Sequence, residues 1–293
     1  MTNHPFQTVS VIGAGTMGAG IAQVLAVSGI TVCLYDINEA AVAKGQERIQ
    51  TSLNEGLSRG KLLQPDVDTA LSRVTTTTTL EQVAQAELVI EAAPESMALK
   101  KELFQKLDLF ADPDVVLVSN TSSLSISALA GVTQRPERVA GLHFFNPVPA
   151  MKLVEVIRGH QTQPEVIENL KALVLSFGKT PVVCLDTPGF IVNRVARPFY
   201  GEAFRMLAED ISGEGFEQSV KTIDGVLKSA GGFKMGPFEL MDLIGLDVNF
   251  AVTQSVYDAT FGEPRYRPHP IQQKMVASGL LGKKSKKGFY AYE

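Results

Sequence analysis

Short, uninterrupted apolar runs alternate with longer stretches of helical period through the first two-thirds of the chain, and then the short runs stop. A run with no polar alternation suits a strand covered on both faces. Val9 to Ile12 is the first such run, and it leads through Gly13, Gly15 and Gly18 into a helix carrying Ile21, Ala22, Val24, Leu25 and Ala26, ended by Gly29. Thr31 to Tyr35 is the second, closing on Asp36, after which Asn38 caps a helix from Glu39 towards Ser58. Val74 opens a short strand followed by threonines to Thr79, a run given no catalytic role. Leu88 to Ala93 is a buried strand ended by Pro94, and a helix is expected from about Glu95 to Phe110 with Leu99, Leu103, Leu107 and Phe110 on its inner face.

Val115 to Val118 is the next strand, ending on the polar cluster Ser119-Asn120-Thr121-Ser122-Ser123. Arg138 to Leu142 runs into His143-Phe144-Phe145-Asn146-Pro147, and Lys152 to Ile157 alternates so that Leu153, Glu155 and Ile157 share a face. Pro164 opens a helix with Val166, Ile167, Leu170, Leu173, Val174 and Phe177 at period 3.6, Gly178 ends it, and Pro181 to Leu185 is the last strand. Thr187-Pro188-Gly189 breaks the chain, and helical periodicity alone continues to Ser278. The pattern predicts an α/β fold: a doubly wound sheet in residues 1–187, followed by a smaller all-helical domain in 188–293.

The turn Gly13-Ala14-Gly15-Thr16-Met17-Gly18 gives that sheet a function. Strand, glycine turn, helix, strand and acid in this order form a dinucleotide-binding unit of Rossmann type. Gly13 permits the turn, Gly15 lets the backbone approach a pyrophosphate, and Gly18 lets helix and strand pack closely. The helix start stabilises a diphosphate. Asp36 is placed to accept the adenosine ribose hydroxyls, and its charge would repel a 2′-phosphate, so NAD is expected rather than NADP.

Of 293 residues, 45% are hydrophobic and 20% charged, which places the chain among globular proteins with a sizeable core. A net charge of -4 argues against nucleic acid as the main partner. No run is long enough to span a bilayer and no secretory signal precedes the first strand, so no membrane partner and a cytoplasmic location are expected. Cys33 and Cys184 sit in apolar runs, read as buried free thiols of a reducing compartment, and no ligand spacing supports a metal site. Lys44, Arg48, Arg59 and Lys61, in or just after the second helix, read as a solvated face, with an anchor for an anionic substrate as the alternative.

Oxidising an alcohol beside a hydride carrier needs a base. His143 is the leading candidate among four histidines; His4, His160 and His269 lie near the terminus, in a turn and between prolines. Glu155, a charge on an otherwise apolar strand, needs a partner, and an imidazole is a natural one. A salt bridge to Lys152 or an arginine is the alternative. Ser122 and Asn193 could each hold a substrate oxygen, or serve a turn and a helix end.

The runs 119–123, 141–149, 186–194 and 235–240, with Gly282-Lys283-Lys284 and Gly288-Phe289-Tyr290, resemble the L-3-hydroxyacyl-CoA dehydrogenase family in order along the whole chain, most of all its stand-alone bacterial 3-hydroxybutyryl-CoA dehydrogenases. The resemblance implies His143 as catalytic base, Glu155 as its partner, and Ser122 and Asn193 at the substrate's 3-oxygen. It implies that Glu95, Lys100, Asn120, Ser122, Asn146 and Lys284 line the cofactor beside the glycine turn. It also turns the basic helix into an acyl-CoA anchor, with Ser52, Arg59 and Lys61 as candidates, and implies a homodimer through the helical part. A dehydrogenase of a free hydroxy or sugar acid on the same fold, and a non-catalytic NAD-binding protein, are the other readings.

Overall fold

The computed structural model describes residues 4–210, 212–213 and 215–293. The chain divides into two compact units, Met1–Thr187 and Pro188–Glu293.

The first unit runs β1 (Thr8–Ile12), α1 (Thr16–Val27), β2 (Thr31–Tyr35), α2 (Glu39–Ser58), α3 (Gln64–Ser72), β3 (Val74–Thr77), α4 (Leu80–Val83), β4 (Leu88–Glu91), α5 (Met97–Phe110), β5 (Val116–Ser119), α6 (Ile126–Ala130), β6 (Val139–Phe144), β7 (Leu153–Arg158), α7 (Pro164–Ser176) and β8 (Thr180–Leu185). The strands form one eight-stranded sheet in the order β3-β2-β1-β4-β5-β6-β7-β8. All neighbours pair in parallel except β6 and β7. The chain winds outward one way from β1 to β3, then returns to lay β4 on the other side of β1. That reversal opens a crevice at the carboxyl ends of β1 and β4, where such sheets bind ligands. The centre is dry: β4, β5 and β6 are buried along their whole length, as apolar runs covered by helices on both faces must be.

Several elements depart from the sequence pattern. The inner face of α5 is Lys100, Phe104 and Leu107, while Phe110 is exposed and Leu99 and Leu103 are half-buried. A lysine heads the buried stripe, so counting leucines rotates the helix wrongly. The period predicts neither α3 nor α4, which bury only two residues and one residue respectively and so carry almost no stripe. Cys184 is buried as expected, but Cys33 is only half-buried. Burial pushes the Cys184 thiol up to about 12, helped by the charges of Glu155 and Asp186.

The second unit is α8 (Val192–Ala208), α9 (Phe216–Ser229), α10 (Pro237–Ile244), α11 (Leu246–Ala259) and α12 (Pro270–Ala277), packed around Tyr200, Phe204, Ile223, Phe238, Met241 and Leu246. Its tail folds back through bridges Gly282–Lys287 and Lys287–Ala291. Two buried aspartates hold it. Asp242 accepts the Phe289 N–H at 3.0 Å, the Tyr290 N–H at 2.9 Å and the Tyr292 hydroxyl at 3.0 Å. Asp224 caps α10 through the Phe238 and Glu239 N–H groups and takes the Tyr290 hydroxyl at 2.8 Å. Burial and these carboxylates push both phenols well above the usual tyrosine range. Among the described residues no helix is long and apolar enough to cross a membrane, and no group of side chains has the makings of a metal site.

Asp242→Ala leaves three donors without their charged acceptor and is expected to cost about 3 kcal/mol. Urea unfolding checks this, with faster proteolysis of the tail; an unchanged midpoint would contradict it.

Candidate active site

The first turn of the sheet is built for an anion. Gly13 has φ +98°, donates its N–H to Tyr35 O at 2.8 Å, and would bring a Cβ within 2.6 Å of Ala92 O. A Cβ on Gly18 would overlap Gly13 O, so close helix–strand packing requires glycine there. Gly15 faces open space, and a Cβ there would meet nothing within 4 Å. It is also the N-cap of α1, which has no side-chain cap and no acidic residue in its first turn. Helix N–H groups and a positive dipole end thus face a space that a backbone-hugging pyrophosphate fits. Asp36 stands beside it, Oδ2 accepting the Ala14 N–H at 2.8 Å and Oδ1 the Ile37 N–H at 2.7 Å.

Further along the same carboxyl edge, β6 and β7 set His143 directly opposite Glu155 in the antiparallel register. His143 Nδ1 donates to Glu155 Oε2 at 2.7 Å, with the two side chains 7% and 1% exposed. This contact uses Nδ1, so Nε2 is the ring nitrogen directed away from the carboxylate. The Phe145 ring lies 4.4 Å from the imidazole and helps fix its plane. Asn120 ties the strand ends together: its Oδ1 accepts the Phe144 N–H at 2.8 Å and its N–H donates to Glu91 O at 2.7 Å.

Between β4 and β5 the polar groups are satisfied among themselves. Glu95 Oε1 accepts the Ser122 N–H at 3.0 Å and the Ser122 hydroxyl at 3.2 Å. Lys100 is 1% exposed, donates to Glu91 at 2.6 Å and Ala93 O at 3.1 Å, and lies 3.5 Å from Glu95. Lys100 thus stands in the same cluster as Glu95, its ammonium held between Glu91, Ala93 O and Glu95.

A groove of about 300 Å³ opens between α1, α2 and the loop after β6, lined by Thr16, Gln23, Arg48, Ser52, Asn146 and Val148 among others. Arg48 reaches Ala14 O at 3.2 Å. Ser52 is therefore in the groove, whereas Arg59 pairs with Glu55 at 3.4 Å and Lys61 lies exposed past the helix end. Arg48, four residues before Ser52 on one helix face, is visible in the sequence only as one of a basic set, and Gln23, a polar residue on the apolar stripe of α1, carries no sequence signal of its own. The i, i+4 spacing to Ser52 was the available signal for Arg48. Asn193 and Lys284 belong to the second unit. Asn193 sits in the first turn of α8, its carbonyl accepting Arg197 Nε at 3.0 Å, and Lys284 pairs with Asp247 at 2.5 Å.

Comparison with known proteins matches both units. Residues 8–187 fit the family model described as 3-hydroxyacyl-CoA dehydrogenase, NAD binding domain, and residues 189–292 fit 3-hydroxyacyl-CoA dehydrogenase, C-terminal domain. A 3-hydroxyadipyl-CoA dehydrogenase of Escherichia coli is 51% identical over 97% of this chain, which spans 58% of that relative's length. A probable 3-hydroxybutyryl-CoA dehydrogenase of Bacillus subtilis is 43% identical over 97% of both chains. The crystal structure of (S)-3-hydroxybutyryl-CoA dehydrogenase from Ralstonia eutropha superposes with a TM-score of 0.92 at 41% identity, covering 98% of this chain and 99% of that one. With an NAD-binding unit and a helical unit matched in sequence order from end to end, the chain belongs to the 3-hydroxyacyl-CoA dehydrogenase family.

Proposed function

We propose that the protein oxidises (S)-3-hydroxyacyl-CoA thioesters, short-chain ones such as 3-hydroxybutyryl-CoA, to 3-oxoacyl-CoA with NAD, and catalyses the reverse reduction. The reading rests above all on one observation, the buried His143–Glu155 contact on the carboxyl edge of a sheet whose first turn is an anion cradle. Bound NAD supplies the acceptor for the hydride leaving C3. The turn from Gly13 to Gly18, Ala14, Thr16 and Met17 included, holds its pyrophosphate and Asp36 its adenosine ribose, with Glu95, Lys100, Asn120, Ser122, Asn146 and Lys284 about the nicotinamide half.

His143 Nε2 takes the proton of the 3-hydroxyl as the C–H bond breaks and the carbonyl forms. Glu155 fixes the tautomer through Nδ1–H and stabilises the imidazolium that results. Ser122 and Asn193 hydrogen-bond the 3-oxygen. In reduction the imidazolium returns its proton to that oxygen. The coenzyme A arm follows α2, where Arg48, Ser52 and Arg59 share one face. Arg59 lies seven residues, about 10 Å, beyond Ser52, so it and Lys61 meet the far, phosphorylated end. A cytoplasmic homodimer joined through the helical unit completes the reading.

Three measurements test it. NADH oxidation against thioesters of graded length, with 3-oxoadipyl-CoA included because the E. coli relative is named for that substrate class, should show activity on acetoacetyl-CoA. Turnover of free acetoacetate and of no thioester would contradict the coenzyme A assignment. His143→Ala should slow single-turnover reduction about 10²–10⁴-fold while NADH still binds, and an unchanged rate would remove His143 from the chemistry. Asp36→Ala should weaken NADH by about 1.5–3 kcal/mol in a fluorescence titration. Wild-type affinity would count against the ribose contact.

A further inference from the structure

The polar run after β5 is tied down from two sides. Glu91, fully buried at the end of β4, accepts from Lys100 Nζ at 2.6 Å, the Ala93 N–H at 2.6 Å and the Ser119 hydroxyl at 2.5 Å. Ser119 Oγ in turn accepts the Thr121 N–H at 3.2 Å. On the other side Lys100 lies 3.5 Å from Glu95, and Glu95 Oε1 accepts the Thr121 hydroxyl at 2.6 Å. The two arms leave one ammonium and meet at Thr121, which is 0% exposed. Thr121 Oγ1 also accepts the Leu124 N–H at 2.9 Å, fixing the turn beyond Ser122.

We propose that Thr121 is a positioning residue for Ser122, closing a ring of hydrogen bonds rooted in the buried Glu91–Lys100 pair. The proposal rests on the reading of Ser122 as a donor to the substrate's 3-oxygen. A donor to developing charge contributes most when its oxygen is held in place before the reaction, and the Ser122 hydroxyl, which here donates to Glu95 Oε1 at 3.2 Å, then has only to rotate about a fixed Oγ. Ser122 lies in a short run of small polar residues, with little side-chain bulk to lock it. The ring supplies that lock. A charged pair sealed from water is a stiff root for it, because moving either charge away exposes the other uncompensated. Thr121 then acts on the reaction only through the residue it holds.

The test is a double-mutant cycle with Thr121→Val and Ser122→Ala, read as kcat for acetoacetyl-CoA reduction, with NADH affinity measured on each variant. Each single variant should lower kcat about tenfold or more, Thr121→Val should keep NADH affinity within about twofold, and the double should be no slower than Ser122→Ala alone. Thr121→Ser, which keeps the hydroxyl, should restore kcat to within about threefold of wild type. The proposal is overturned if Thr121→Val keeps wild-type kcat, or if it costs as much in the Ser122→Ala background as in wild type. Wild-type kcat in Ser122→Ala alone would instead sink the reading of Ser122 itself. Should Thr121→Val not fold, Ser119→Ala opens the ring on its other arm and takes its place in the cycle, with the same outcomes decisive.

Discussion

A carboxylate sealed inside a sheet must find a partner, and Glu155 finds His143. That requirement constrains the strands around it. A one-residue slip between β6 and β7 would turn Glu155 to the opposite face and leave its charge uncompensated. The pair forms between strands that run against each other. The connection through residues 145–152 allows this, being too short for the helical crossover that parallel neighbours require. The same connection carries Asn146 and Val148 into the groove beside α1 and α2. Lys179, buried, pins it by donating to Val148 O and Met151 O at 2.7 Å each, and burial without a carboxylate holds its ammonium below the usual lysine range. The loop that returns the chain for the His143–Glu155 contact thus also builds a wall of the groove.

Polar groups are concentrated at the carboxyl edge of a sheet that is otherwise dry. Glu91, Ser119, Thr121, His143 and Glu155 are all buried there or beside it. Buried ion pairs add little net stability compared with well-packed apolar residues, so their use at this edge points to placement rather than strength. The edge is where the strands stop satisfying each other's backbone groups and side chains must take over. Asn120 shows the pattern, bonding the end of β4 through its N–H and the end of β6 through its amide oxygen.

Much of this architecture is legible in the chain because it follows from local rules. The strands announce themselves as short apolar runs, the glycine turn as a spacing, and the end of the sheet as Pro188-Gly189. What periodicity misses is what tertiary pairing decides. Lys100 takes the head of the buried stripe on α5 because Glu91 waits for it on another element, and no pattern within the helix says so. The helix α3 is held by neighbours rather than by a stripe of its own. In the candidate site, residue chemistry suggests pairing an imidazole with Glu155, but only the antiparallel register sets them opposite each other. The basic residues of α2 are visible as a set, while their division is not. Arg48 faces the groove and Arg59 lies about three turns on, set by where the loop after β6 comes down.

The role of the buried carboxylate can be measured in one variant that keeps its shape. Glu155→Gln preserves size and one hydrogen-bonding oxygen while removing the charge that stabilises the imidazolium. If that charge supports proton transfer at His143, the single-turnover rate of NADH-dependent reduction of acetoacetyl-CoA should fall about 10²-fold or more, with NADH affinity unchanged. A rate within about twofold of wild type would contradict it.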